Sequence, residues 1–199
     1  MFYYIEGNIS VIDSGVAVVD AGGVGYLVNT TVYTISRLEP GKKARLYISE
    51  SVREDAFDLY GFYDLSEKKS FELLTSVSGV GPKAAISILS TVTSEELALA
   101  VLSEDDKPLT RAPGVGKRIA QRIILELKDK ISKESASFSK GSGSGALPQT
   151  VGGGNKLAEA TAALMVLGYS QGEINIALRG ADVERMTAEE LIRYALKNS

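Results

Sequence analysis

Over the first 63 residues apolar and polar side chains alternate, and beyond them the apolar positions recur at helical spacing. The alternating or β-rich runs fall at 2–12, 16–20, 26–30, 44–51 and 57–62, and each predicts a strand. Turn-forming clusters separate them: Asp13-Ser14-Gly15, Gly22-Gly23, Pro40-Gly41 and Arg53-Glu54-Asp55. A brief helical insertion is expected near 31–37. Five short strands predict a small closed barrel. The oligonucleotide-binding (OB) barrel is the leading candidate, and an SH3-like barrel is the alternative with the same strand count.

Helical spacing then predicts helices at 66–76, 82–89, 94–102 and 116–130. Ser94-Glu95-Glu96-Leu97 reads as an N-cap followed by acidic residues, and Pro82 sits where a first-turn proline is tolerated. Residues 134–154 are rich in Gly and Ser and predict a flexible linker without a core. Past it, Leu157, Ala160, Leu164 and Leu167 form one stripe, ended by Gly168. Ile174, Ala177 and Leu178 form a second, and Thr187 caps a third helix carrying Leu191, Ala195 and Leu196. The predicted class is α+β multidomain: a five-stranded OB-fold barrel at 1–63, a helical domain at 64–133, the linker at 134–154, and a small three-helix domain at 155–199.

Composition narrows the chemistry. Cysteine is absent, which removes disulfides, thiolate metal sites and cysteine nucleophiles and suits a reducing cytoplasm. Histidine is absent too, so the commonest general base and zinc ligand are missing, a prior against an enzyme. No apolar run approaches the roughly 20 residues that span a bilayer, and no signal peptide is read at Met1-Phe2-Tyr3-Tyr4. The net charge of −3 looks wrong for a nucleic-acid binder, but it is an average. Residues 1–63 carry −3, whereas 110–130 carry +4 from Arg111, Lys117, Arg118, Arg122, Lys128 and Lys130 against Glu126 and Asp129. A local basic face matters more for phosphate than the chain total.

The most informative pattern is a repeat. Leu74-Thr75-Ser76-Val77-Ser78-Gly79-Val80-Gly81-Pro82-Lys83-Ala84-Ala85 returns 35 residues later as Leu109-Thr110-Arg111-Ala112-Pro113-Gly114-Val115-Gly116-Lys117-Arg118-Ile119-Ala120. Each copy reads as a helix, a Gly-Val-Gly turn, and a helix that opens on a basic residue, the pattern of a helix-hairpin-helix. Glycine lets the backbone turn tightly and approach a ligand closely. The helix start that follows offers unpaired N–H groups and a positive dipole end to an anion. Gly79, Val80, Gly81 and Lys83 in the first copy, and Gly114, Val115, Gly116, Lys117, Arg118 and Arg122 in the second, are therefore the candidate DNA-binding residues. Such contacts read the sugar-phosphate backbone and not base sequence. The plain alternative is two tight helix–helix turns with structural glycines.

Glu54 and Asp55 lie between two predicted strands and should project from a turn. Acidic turn residues are usually only solvated. Beside a DNA-binding face they would repel phosphates and hold strands apart. Gly22-Gly23-Val24-Gly25 precedes a β run and lacks the Lys-Ser/Thr of a P-loop, and no complete P-loop occurs in the chain. Any ATP-driven motion must then come from a partner.

These motifs together resemble the RuvA family: the barrel with Val52-Arg53-Glu54-Asp55-Ala56 and Leu59-Tyr60-Gly61-Phe62, the paired hairpins, and Ala163-Leu164-Met165-Val166-Leu167-Gly168-Tyr169. The resemblance covers nearly all of the chain except the linker. It implies an OB-fold domain, a tandem helix-hairpin-helix domain and a tethered three-helix domain. It implies a homotetramer whose concave face receives an open four-way (Holliday) junction in DNA recombination and repair, with one or two tetramers on the DNA. Glu54 and Asp55 match the family's acidic pin at the crossover. The C-terminal domain is expected to dock the hexameric RuvB ATPase, with Leu164, Leu167 and Tyr169 as the candidate contact, and RuvC resolvase is a further expected partner. No catalytic residue, metal or cofactor is expected here, ATP and magnesium being used by RuvB. Two positions depart from the family pattern: Ser49 stands where some relatives carry histidine, and Glu6 in a strand that is often basic.

Two other classes fit parts of the pattern. One is a general structure-specific DNA-repair module without a motor partner. The other is a helix-hairpin-helix nuclease or glycosylase, which would want a catalytic Asp or Lys beyond the hairpin. Asp129 stands there, but in a charged helix that reads more simply as surface. The C-terminal unit is also similar in pattern to ubiquitin-associated domains, which indicates a shared small fold and not ubiquitin binding.

Overall fold

The computed structural model describes residues 1–141, 154–166, 169 and 171–197, and side chains outside 131–155, 166–168, 170 and 196–199. The five expected strands form: β1 (Tyr4–Asp13), β2 (Val16–Ala21), β3 (Val24–Asn29), β4 (Lys43–Val52) and β5 (Phe57–Phe62). They close into a barrel in the order β1-β2-β3-β5-β4, with β1 antiparallel to both β2 and β4 and β3 parallel to β5. A short helix, α1 (Val32–Ile35), lies between β3 and β4. That closed five-strand order is the OB architecture and removes the SH3-like alternative. Alternation explains the barrel's core: Ile5, Ile9, Val19, Val28, Leu46, Ile48 and Leu59 point inward and are buried together.

The helical region holds α2 (Leu65–Thr75), α3 (Pro82–Leu89), α4 (Ser94–Leu102), α5 (Lys107–Thr110) and α6 (Lys117–Gly141). The cap of α4 is Thr93 and not Ser94. The Thr93 hydroxyl accepts from the Glu96 amide at 3.2 Å and the Glu96 carboxylate accepts from the Thr93 amide at 2.9 Å, a reciprocal capping box. The 25 residues of α6 span about 37 Å and run through 134–141, which the sequence reading gave to the linker. The remaining linker residues, 142–153, lie outside the described residues. The C-terminal helices are α7 (Gly154–Val166), α8 (Gln171–Ala177) and α9 (Ala188–Lys197), with α7 against α6 and α9 reaching α4. Thr187 caps α9 as expected, accepting from the Glu190 amide at 3.2 Å.

Several contacts join the barrel to the helices. Phe71 of α2 stacks on Tyr60 and packs at a tilt against Phe62 of β5, with ring centroids 5.0 and 4.9 Å away. Beside them Glu67, only 3% exposed, accepts hydrogen bonds from the hydroxyls of Thr31 and Thr34 at the start of α1. Thr34 in turn accepts from the Tyr63 amide at 2.9 Å. Burial, more than anything else, pushes the Glu67 carboxyl above its ordinary value, against the lowering effect of those two hydroxyls. Nearby, the Tyr33 hydroxyl donates to Asp64 at 3.2 Å, and burial followed by the Asp64 charge raises it to about 12. Sequence reading missed this clamp, because Glu67 looks like any acidic residue in a first helical turn.

Candidate nucleic-acid interface

The repeat in sequence is a repeat in hydrogen bonding. Val77 and Ala112 donate to Leu74 and Leu109 at 3.1 Å each, and Val80 and Val115 to Val77 and Ala112 at 3.0 Å each. Ala85 and Ala120 donate to Gly81 and Gly116, again at 3.0 Å. Gly79 and Gly114 take φ of +84° and +82°, a left-handed conformation that costs glycine no Cβ clash. The equivalent pairs Leu74 and Leu109, Ala85 and Ala120, and Ile88 and Ile123 are all fully buried. The same local forces thus build the same hairpin twice.

Between these anchors the turns are open. A Cβ added at Gly81, Gly114 or Gly116 would meet nothing within 4 Å. Gly81 caps α3 without a side-chain acceptor, and the first-turn amides of a helix have no intrahelical partner. The first turns of α3 and α6 carry no acidic residue, unlike those of α2, α4 and α9. Lys83, Lys117 and Arg118 are exposed beside them. This arrangement suits a singly charged backbone phosphodiester approached by backbone N–H groups and a cation.

Two candidates need correction. Val80 and Val115 are buried, and their amides are spent inside the turn, so they anchor the hairpins and present neither side chain nor N–H to a ligand. Arg122 is exposed, but one of its guanidinium nitrogens donates to the Ser78 carbonyl at 3.1 Å, so it braces the first hairpin from the helix of the second.

Glu54 and Asp55 stand exposed at the tip of the β4–β5 hairpin, which the Arg53 amide closes onto the Ala56 carbonyl at 2.8 Å. Arg53 pairs with Asp58 at 2.6 Å, so the local cation is held by the strand below and not by the tip. Glu6, the unexpected acid in β1, is bridged by Lys43 and Arg45 at 2.7 Å each, and the Lys43 hydrogen bond foremost lowers its carboxyl. Glu6 is thus occupied by two of the barrel's own cations, and the three groups together keep one positive charge.

At the C-terminus Leu164 is 1% exposed in the core and cannot form an exposed docking edge. Its place on the inward stripe of α7 is set by helical spacing. Tyr169 is half-buried, its amide donating to the Leu164 carbonyl at 3.0 Å. Leu167 lies outside the described residues. Ile176 on α8 is exposed.

No helix among the described residues is long and apolar enough to cross a membrane. An OB barrel joined to two glycine-turned hairpins defines the class of tandem helix-hairpin-helix proteins built on an OB domain. Residues 1–61 match the RuvA N-terminal domain, 71–129 the SAM-like helix-hairpin-helix tandem, and 155–199 the RuvA C-terminal domain. A protein of Acetivibrio thermocellus is 47% identical over 199 residues, 99% of this chain and 98% of that one. One of Ruminiclostridium cellulolyticum is 44% identical over all of both chains, and one of Deinococcus radiodurans 40% identical over 98% of each. Each of the three is a "Holliday junction branch migration complex subunit RuvA". The chain belongs to the RuvA family.

Proposed function

We propose that the protein binds the four-way DNA junction, holds it open and presents it to a RuvB motor for branch migration. The observation that carries this reading is the pair of matched glycine turns with open approach and exposed Lys83, Lys117 and Arg118. Duplicated backbone-reading turns grip duplex arms whatever their sequence, as a junction that migrates through any sequence requires. The acidic tip supplies the complement. In a homotetramer, four copies of Glu54 and Asp55 would ring the crossover, opposing its closure into stacked arms and guiding separated strands outward. One or two tetramers would hold the DNA.

The role is electrostatic and positional, so no bond is made or broken by this chain. ATP and magnesium belong to RuvB. The three-helix domain is the proposed RuvB contact, centred on Tyr169 now that Leu164 is assigned to the core. RuvC is the proposed resolving partner, and the cytoplasm, with the chromosome, is the proposed compartment.

Electrophoretic titration against a four-way junction and a linear duplex of equal length tests the reading. Junction binding should be at least tenfold tighter, on the order of 1.4 kcal/mol. Addition of RuvB, ATP and magnesium should then dissociate the junction by migration, and without RuvB the DNA should stay intact. Equal affinity for both DNAs, or strand cleavage by the protein alone, would overturn it.

A further inference from the structure

The two hairpins brace each other, and they do so through equivalent positions. The Arg122 guanidinium, on the helix after the second turn, donates to the Ser78 carbonyl in the first turn at 3.1 Å. The Ser87 hydroxyl, on the helix after the first turn, donates to the Pro113 carbonyl in the second turn at 2.8 Å. With the 35-residue offset of the repeat, Ser87 is the counterpart of Arg122 and Ser78 the counterpart of Pro113. Copies related by translation cannot touch reciprocally through the same pair of positions. Copies related by a local two-fold rotation must.

The remaining difference between the copies is chemically consistent. Ser78 has an amide hydrogen, and Glu126 on α6 accepts from it at 3.4 Å. Pro113 has no amide hydrogen, and Thr91, the counterpart of Glu126, is no acid and donates instead, from just past the end of α3, to the Ser87 carbonyl at 2.9 Å. Each turn therefore receives the acceptor or donor that its own backbone calls for.

From this we infer that Ser87 and Arg122 are positioning residues that set the separation of the two phosphate-binding turns. The inference rests on the junction-binding reading above. Two weak anion sites act as one strong site only when their spacing matches that of the phosphates they grip. Preorganised spacing saves the ordering cost that each turn would otherwise meet alone. Ser87 carries no charge and lies partly buried on α3, so its influence on DNA would run through the Pro113 turn.

The test uses the full-length protein with Ser87→Ala, Ser87→Thr, Arg122→Gln and, as a separate arm, Lys117→Ala/Arg118→Ala. Amide hydrogen exchange is read at Val80 and Ala85 in the first copy and at Val115 and Ala120 in the second, whose bonds match at 3.0 Å. Ser87→Ala should speed exchange at Val115 and Ala120 and leave Val80 and Ala85 unchanged, although Ser87 is in the first copy. Arg122→Gln should do the converse. Ser87→Ala should also weaken junction binding about fivefold, the loss of roughly one hydrogen bond, and flatten the salt dependence without removing a charge. Ser87→Thr, which keeps the hydroxyl, should restore both. Exchange that rises only in the substituted copy, or equally in both, overturns the brace, as does a Ser87→Ala protein with wild-type slope. An unchanged salt slope in Lys117→Ala/Arg118→Ala would instead defeat the hairpins as the phosphate site, leaving the exchange pattern to decide the brace.

Discussion

Replacing Lys117 and Arg118 together by alanine removes two exposed cations from the first turn of α6. Among the described residues neither has a carboxylate partner, so their charge is available to a ligand and their loss strands no buried group. Folding should therefore hardly change, within about 0.5 kcal/mol, as for most surface substitutions. Binding should change in a way that salt reveals. Each phosphate neutralised contributes about 0.9 to the slope of log affinity against log salt, so one engaged second hairpin that loses both cations should lose about 1.8. Between 50 and 200 mM salt, a fourfold change, that difference amounts to about 12-fold. The wild-type protein should thus lose about 12-fold more affinity across the range than the variant, and about a further 12-fold for every additional hairpin engaged. Fluorescence anisotropy with a labelled four-way junction at five salt concentrations measures the slope, and a thermal melt checks the fold. An unchanged slope with an intact fold would show that these cations do not meet phosphate. A lowered melting point with an unchanged slope would assign them to structure.

Three further outcomes are expected. Neutralising the tip with Glu54→Gln and Asp55→Asn should cut the preference for junction over duplex, by about fivefold if the four carboxylate pairs together contribute roughly 1 kcal/mol, and should alter migration with RuvB and ATP; unchanged preference and rate at both low and moderate salt would make the tip a merely solvated turn. Tyr169→Ala should weaken RuvB capture more than it lowers the melting point, and the reverse ranking would return Tyr169 to the core. Glu67 binds its proton more tightly folded than unfolded, since burial raises its carboxyl, so its contribution favours folding at low pH and is lost as pH rises from the ordinary carboxylate value through the folded one. Glu67→Gln should remove that component, and melting curves of wild type and variant that run parallel from pH 4 to 8 would refute it.

The local pattern alone determined a good deal. Alternation placed all five strands, because one face of each must enter the barrel. The repeat announced both hairpins, because a Gly-Val-Gly turn between helices needs the left-handed conformation that Gly79 and Gly114 adopt. Glu54 and Asp55 were legible as a projecting pair for the same reason: a turn between strands leaves side chains nowhere to be buried.

Other features depended on what lies far away in the chain. Alternation cannot distinguish barrels of equal strand number, and only the β3–β5 pairing and the closure of β1 on β4 made this one an OB fold. Gly and Ser near residue 140 argued for a linker, yet α6 continues to Gly141, since propensity is a weak prior once a helix is propagating. Val80 and Val115 sit inside a ligand-binding motif but belong to the core, and Leu164, though apolar and near a partner-binding candidate, is interior. Glu67 gave no signal, because its meaning comes from Thr31 and Thr34, more than thirty residues earlier. The exchange of Arg122 and Ser87 between hairpins was equally invisible: a sequence repeat shows that two units are alike, and only their packing shows that they are related by rotation and hold each other.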